Sequence, residues 1–239
     1  MVSDQNPFQN ELLAALTEEE RIRVFPYLEL VKIALGDVLY SPYKQMMHAY
    51  FPTTVIVSLL QMTQTGATAE LAMIGKEGIV GISLFMGGDT TSSWAMVQNA
   101  GYAYKLPAKI IKEEFWRGGK LQHLLLCFTQ SLITQMAQTA VCNRYHTVEQ
   151  HLCHWILLSL DRLSSNDFNM THELIANMLG VRRESVTEAA GHLQRDGLIH
   201  YTRGKISILD RTGLENRACE CYHVVKVETD MTCSPLSNP

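Results

Sequence analysis

The sequence predicts an α+β chain: an N-terminal β-roll (a jelly-roll-like, double-stranded β-helix), a long dimerisation helix, and a C-terminal winged helix-turn-helix. Three observations predict it. From about Val31 to Leu106, short β-branched or aromatic runs alternate with glycine-rich turns. After Pro107, apolar residues recur every three or four positions along a segment that has no Pro and, past Gly119, no Gly. Further on, Gly180 separates two short amphipathic segments ahead of the hairpin-like run GLIHYTRGKISIL. The corresponding regions are 1–106 (sensor-like β-roll with short N-terminal helices), 107–146 (dimerisation helix), 147–215 (winged helix-turn-helix) and 216–239 (C-terminal helix and tail).

Taken in order, ELLAALTEEERIRVFPYL reads as one or two short helices within 10–30, closing before Pro26. Strands are expected at VKIAL, VIVSLL, AELAMI and AMVQNAGYAYKL, punctuated by turns such as Gly36-Asp37, Ser41-Pro42 and Gly87-Gly88-Asp89. On the long helix, Leu121, Leu125, Phe128, Leu132 and Met136 form one apolar seam, expected to pair with a second copy. Thr147-Val148-Glu149-Gln150 has the form of a capping box, and the helix it opens packs through Leu152, Trp155, Ile156 and Leu160. Ser164 to Asp167 reads as a loop.

A chain of 239 residues with 46% hydrophobic and 18% charged content suits two modest globular domains. Its net charge of −4 announces no overall basic field, so any nucleic-acid surface must be local. The polar start MVSDQNPFQN is not a secretory signal, and no apolar run approaches the ~18 residues that span a bilayer. The expectation is a cytoplasmic protein with no membrane partner, its six cysteines reduced. No G-x-S-x-G, P-loop or HExxH motif occurs, so no enzyme is expected.

The segment 171–208 carries the functional signal. Thr171 caps THELIANML, Gly180 turns the chain, and a second helix spans roughly 182–196, packing through Val186, Ala189, Ala190 and Leu193. Its other face holds Arg182, Arg183, Ser185, Thr187, Glu188 and His192. In a helix-turn-helix such a helix enters the major groove by its N-terminal end, where a guanidinium matches guanine and a carboxylate accepts from cytosine. Thr187 and Glu188, near that end, are expected base contacts. Thr171, Arg182, Ser185, His192 and, at the wing tip, Arg203 and Lys205 are the expected phosphate contacts.

With GDVLYSPYKQMMHAYFPTTVIVSLL before it, ELIANMLGVRRESVTEAAGHLQRDGLI resembles the Crp/Fnr family of bacterial transcription regulators, over nearly the whole chain. The resemblance implies a homodimer that reads a palindromic operator, with double-stranded DNA and RNA polymerase as partners. It also implies that Arg183 and Glu184 each read a G·C pair. Where well-known members carry a second arginine, this chain has Glu188, so the operator should differ there. The small N-cap usual before the Arg is here Arg182. The competing reading is a small-molecule sensor that acts on a partner protein.

Members that bind cyclic nucleotides hold the ribose with Gly-Glu and the phosphate with Arg-Ser or Arg-Thr. The matching positions are Gly81, Ile82, Thr91, Ser92 and Ser93, a degenerate pocket, and no arginine occurs between Arg23 and Arg117. Burying a phosphate without a cation or a full donor set costs several kcal/mol. Cyclic AMP is therefore not the expected effector, and any ligand is of another kind. No haem or metal is expected either: the first cysteine is Cys127, and His123/Cys127 and His48 read as ordinary packing residues. In the tail CECYHVV, Leu214, Ala218, Cys221 and Val225 repeat at helical spacing, which leaves Cys219 off that face unless the helix breaks.

Overall fold

The computed structural model describes residues 5–163 and 165–233. Residues 1–4 of the polar N-terminal segment, Ser164 of the expected loop and the tail 234–239 lie outside the described residues. The chain forms two compact units, Met1–Leu59 with Ile74–Ile133 and Val227–Pro239, and Leu60–Met73 with Thr134–Lys226.

The first unit opens with α1 (Glu11–Ala14) and α2 (Glu18–Val24). Asn10, fully buried, accepts from Leu13 N and donates from Nδ2 to Pro52 O and Gly78 O, both at 2.9 Å. One side chain thus caps a helix and pins it to the end of a strand at Pro52 and to the turn at Gly78. Thr17 and Glu20 form a capping box for α2.

The strands are β1 (Glu29–Ile33), β2 (Val38–Tyr40), β3 (His48–Pro52), β4 (Ile56–Met62), β5 (Thr68–Ile74), β6 (Trp94–Asn99) and β7 (Gly101–Pro107). They make two sheets, ordered β1-β7-β3 and β2-β6-β4-β5; β2 and β3 lie outside the four runs where strands are expected. Ala49, Phe51, Ala103 and Leu106 are fully buried on the paired strands β3 and β7, while Glu29 and Lys105, opposite each other on β1 and β7, pair at 2.9 Å.

The helix expected over 107–146 is two helices, α3 (Ala108–Arg117) and α4 (Lys120–Tyr145). Gly118 and Gly119, at φ 83° and 98°, break it. Glu20 reaches the break, and its Oε1 accepts from Leu121 N at 2.8 Å, satisfying a first-turn donor of α4.

The expected dimer seam is largely consumed inside the protomer. Leu121, Leu125, Phe128 and Leu132 are all at most 3% exposed, and only Met136 is half-buried. The Phe128 ring lies so close to Gly78 that a Cβ there would sit 2.1 Å from Phe128 Cε2. The physical reason is that the chain's own apolar surface covers this stripe. The face left open on α4 runs Leu126, Gln130, Ile133, Ala137, Ala140 and Arg144, in alternating steps of four and three.

The second unit contains the β4–β5 turn region and the C-terminal helices. Trp155 donates to Glu70 at 3.2 Å, and Gln135 accepts from Met73 N. Residues 60–73 therefore pack with this unit, although the sequence boundaries placed them in the region 1–106. Here lie α5 (Val148–Arg162), β8 (Asp167–Asn169), α6 (His172–Leu179), α7 (Arg183–Arg195), β9 (Ile199–Thr202), β10 (Lys205–Ile208), α8 (Arg211–Arg217) and the start of α9 (Glu220–Cys233). The strands pair in the order β8-β10-β9, so part of the expected loop is a strand. The expected single C-terminal helix is interrupted: Ala218 is extended (φ −66°, ψ 156°) between α8 and α9. Among the described residues no helix is long and apolar enough to cross a membrane.

Candidate nucleic-acid interface

Thr147 and Gln150 cap α5 reciprocally, as the sequence predicts, and Thr171 Oγ1 accepts from Leu174 N to start α6. Gly180 ends α6 in the left-handed region (φ 65°, ψ 31°), with Val181 N bonded back to Ala176 O. Ala176, buried at 4%, keeps the first helix slim in this tight pairing. α7 then starts from Arg182, which is extended and supplies no side-chain cap. Val186, Ala189, Ala190 and Leu193 face inward, while Arg182, Arg183, Glu184, Thr187 and Glu188 are exposed.

Arg183 lies 4.0 Å from Glu173, with both side chains about two-thirds exposed. Such a loose surface pair contributes little, so the guanidinium is free to take another partner. Thr187 is more committed: its hydroxyl donates to Arg183 O and meets His172 Nδ1 at 2.9 Å. The His172 ring is in turn stacked on Tyr201 at 4.1 Å, and burial, followed by the nearby Arg183 charge, lowers its pKa.

Of the expected phosphate contacts, Arg182 and Arg203 are exposed, and Ser185 is half-buried along a groove shared with Thr147, Val148, Glu149, Glu188 and His192. Arg203 occupies the turn between β9 and β10 at φ 49°, followed by Gly204 at φ 81°. Lys205 pairs with Asp167 at 2.7 Å, both partners roughly half exposed. His192 is held differently from expectation, its Nδ1 3.0 Å from Glu149 Oε2. Arg217 binds the other oxygen of that carboxylate at 2.6 Å. Burial opposes the charge on Glu149, but hydrogen bonds from Arg217 and His192 outweigh it and hold its pKa below the usual value. This clamp joins α5, α7 and α8. Sequence reading missed it because its members lie 43 and 68 residues apart.

In the first unit, Gly81 adopts φ 114° and opens a short 3-10 turn containing Ile82. Thr91 and Ser93 bond each other at 3.0 Å, and Ser93 also bonds Tyr40, whose phenol burial pushes up. Ser92 is exposed. Asp89, beside them, pairs with Lys112, so these hydroxyls and this cation are engaged within the protein. His48 lines a separate recess with Tyr40, Lys44 and Tyr50.

Among the described residues, one group of metal-capable side chains comes together that sequence reading did not assemble. Cys142, His146, Cys219 and Cys221 bring one ligand atom each to within 4.8 Å of one another. The helix break at Ala218 is what allows Cys219 and Cys221 to share a site, and His223, the third residue of the tail motif, is exposed. The signal was present as Cys142-x-x-x-His146, one helical turn apart. His123 and Cys127 do touch, at 3.4 Å, but among the described residues no third such side chain joins them.

Residues 150–217 match a family described as the Crp-like helix-turn-helix domain. No curated protein matches the sequence. The fold is similar to that of FixK2 from Bradyrhizobium japonicum, at 14% identity over 80% of this chain and 98% of that one, with a TM-score of 0.68. It is similar to a transcriptional regulator of the CRP family from Thermus thermophilus, at 17% identity over 79% and 96% of the two chains, with a TM-score of 0.66. It is also similar to the c-di-GMP responsive global regulator CLP from Xanthomonas campestris, at 14% identity over 80% and 97%, with a TM-score of 0.60. Residues 150–217 thus match a Crp-like helix-turn-helix domain, on a chain whose fold is similar to those of CRP-family regulators.

Proposed function

We propose that this chain is a homodimeric, sequence-specific DNA-binding transcription regulator that reads a palindromic operator through α7. The observation that carries this is the start of α7, where Arg182, Arg183 and Glu184 are exposed on a helix whose opposite face is locked into the second unit. Arg183 is assigned to a guanine edge and Glu184 to a cytosine amino group. Glu188 extends the readout, and the Thr187 hydroxyl, tied to His172, offers its methyl group to thymine. Arg182, Ser185, Arg203 and Lys205 are assigned to phosphate, with Thr171 beside the backbone and His192 kept for the Glu149 clamp.

A second copy is assigned to the open face of α4 through Leu126, Ile133, Ala137 and Ala140, and the operator is expected to carry half-sites about one helical turn apart. RNA polymerase is the proposed further partner. Any effector in the β-roll is a ligand other than cyclic AMP, since the region of the phosphate fork holds hydroxyls bonded to one another.

Selection from a randomised duplex pool tests the reading. Enrichment of one inverted repeat, bound at physiological salt, is expected. Binding that is weak, sequence-blind and wholly abolished by salt would overturn it in favour of a protein partner.

A further inference from the structure

We propose that Cys142, His146, Cys219 and Cys221 bind one zinc-class divalent ion in a closed, tetrahedral site of three sulfurs and one imidazole nitrogen. Their ligand atoms lie within 4.8 Å of one another, and all four belong to the second unit. A tetrahedron with ordinary zinc–sulfur and zinc–nitrogen bonds has edges of about 3.6–3.8 Å. Cys142 Sγ lies 3.4 Å from Cys219 Sγ, and Cys221 Sγ lies 3.7 Å from His146 Nδ1. Small side-chain rotations close the remaining edges.

The local structure is shaped to bring these residues together. Cys142 and His146 are one turn apart where α4 ends, so both face the same side. The chain breaks at Ala218, placing Cys219 just ahead of α9, whose N-terminal dipole favours a thiolate there. Cys221 follows within the first turn.

The surroundings support a ligand role beyond packing. His146 turns Nδ1 toward Cys221, and its Nε2 meets Glu220 Oε1 at 3.4 Å. A carboxylate on the far nitrogen is the usual outer partner of a metal-bound histidine, fixing its tautomer and ring orientation. His154 Nδ1 lies 3.4 Å from Cys142 Sγ and 3.7 Å from Cys219 Sγ. An N–H there donates to both sulfurs and offsets the single net negative charge that three thiolates and a divalent ion leave. The three cysteines are at most 5% exposed. Soft, mostly sulfur ligation selects zinc over magnesium or calcium, and four protein ligands leave no open position for catalysis. The ion would tie the end of α4 to the α8–α9 junction.

The test uses the full-length protein purified under reducing conditions without chelator. Elemental analysis is expected to give one zinc per chain, and X-ray absorption at the zinc edge a shell of three sulfurs and one nitrogen. Exchange with cobalt(II) should yield the intense visible bands of a tetrahedral thiolate site. Cys219→Ser and His146→Ala should lose the metal, whereas His223→Ala and Cys127→Ser should keep it. The wild-type spectra decide the question even if a ligand variant fails to fold. Folded wild-type protein that is metal-free and takes up no cobalt would overturn the proposal. So would a Cys142–Cys219 disulfide in place of metal, or a site lost in His223→Ala.

Discussion

Ile133→Glu and Phe128→Ala separate the two faces of α4. Ile133 is 53% exposed in the protomer, whereas Phe128 is 3% exposed and packed on Gly78. Fully burying an isoleucine is worth roughly 1.5–3 kcal/mol, so covering the exposed half gives about 1–1.5 kcal/mol per chain. Twofold symmetry counts that contact twice, about 2–3 kcal/mol per dimer. Losing it weakens association roughly 30- to 150-fold, before any repulsion between opposed carboxylates. Phe128→Ala instead empties a packed site and should lower protomer stability by about 3–5 kcal/mol. Sedimentation equilibrium across a concentration series, with thermal melts run alongside, measures both. The reasoning fails if Ile133→Glu remains as dimeric as wild type. It fails equally if Phe128→Ala dissociates the dimer without loss of protomer stability.

Arg183→Ala should cost about 1–3 kcal/mol on the selected operator and relax preference at one base pair per half-site, measured by mobility shift against single-base operator variants. Equal loss on every sequence would make Arg183 a phosphate contact. Lys205→Ala should weaken binding to all sequences alike and reduce the salt slope by about one, read from titrations at several ionic strengths; giving up its half-exposed pair with Asp167 matters little to folding. Glu149→Gln should destabilise the second unit by about 1–2 kcal/mol, since it removes charged bonds to Arg217 and His192 on a carboxylate that is three-quarters buried. Because the folded pKa of Glu149 is depressed, this stabilisation is present above the ordinary value of 4.5 and lost as pH falls through the lower folded value. The gap between wild-type and variant melting temperatures should therefore narrow in acid.

Local patterns carried most of the fold. Capping residues Thr147 and Thr171, the turn at Gly180 and the hairpin at Arg203-Gly204 all act over a few residues, and each is found where the sequence places it. The exposed start of α7 was legible for the same reason, because inward-facing Val186, Ala189 and Leu193 mark the other side. What periodicity could not distinguish was which body covers an apolar stripe. Leu121, Leu125 and Phe128 have the spacing of a dimer seam and equally that of a buried helix face. Strand β8 was missed because its single buried residue, Phe168, makes no readable alternation. The Cys–His group depends on an interruption at Ala218, and no glycine or proline announces it there.

Arg203 sets conformational ease against charge at one residue. A non-glycine residue in the left-handed region carries a penalty of roughly 1–2 kcal/mol, and asparagine tolerates that region better than arginine does. The local backbone would therefore be more comfortable with Arg203→Asn, yet that replacement removes the cation from the outermost point of the wing. Selecting variants for heat resistance alone would tend to discard this side chain, and selecting for grip on a polyanion would restore it.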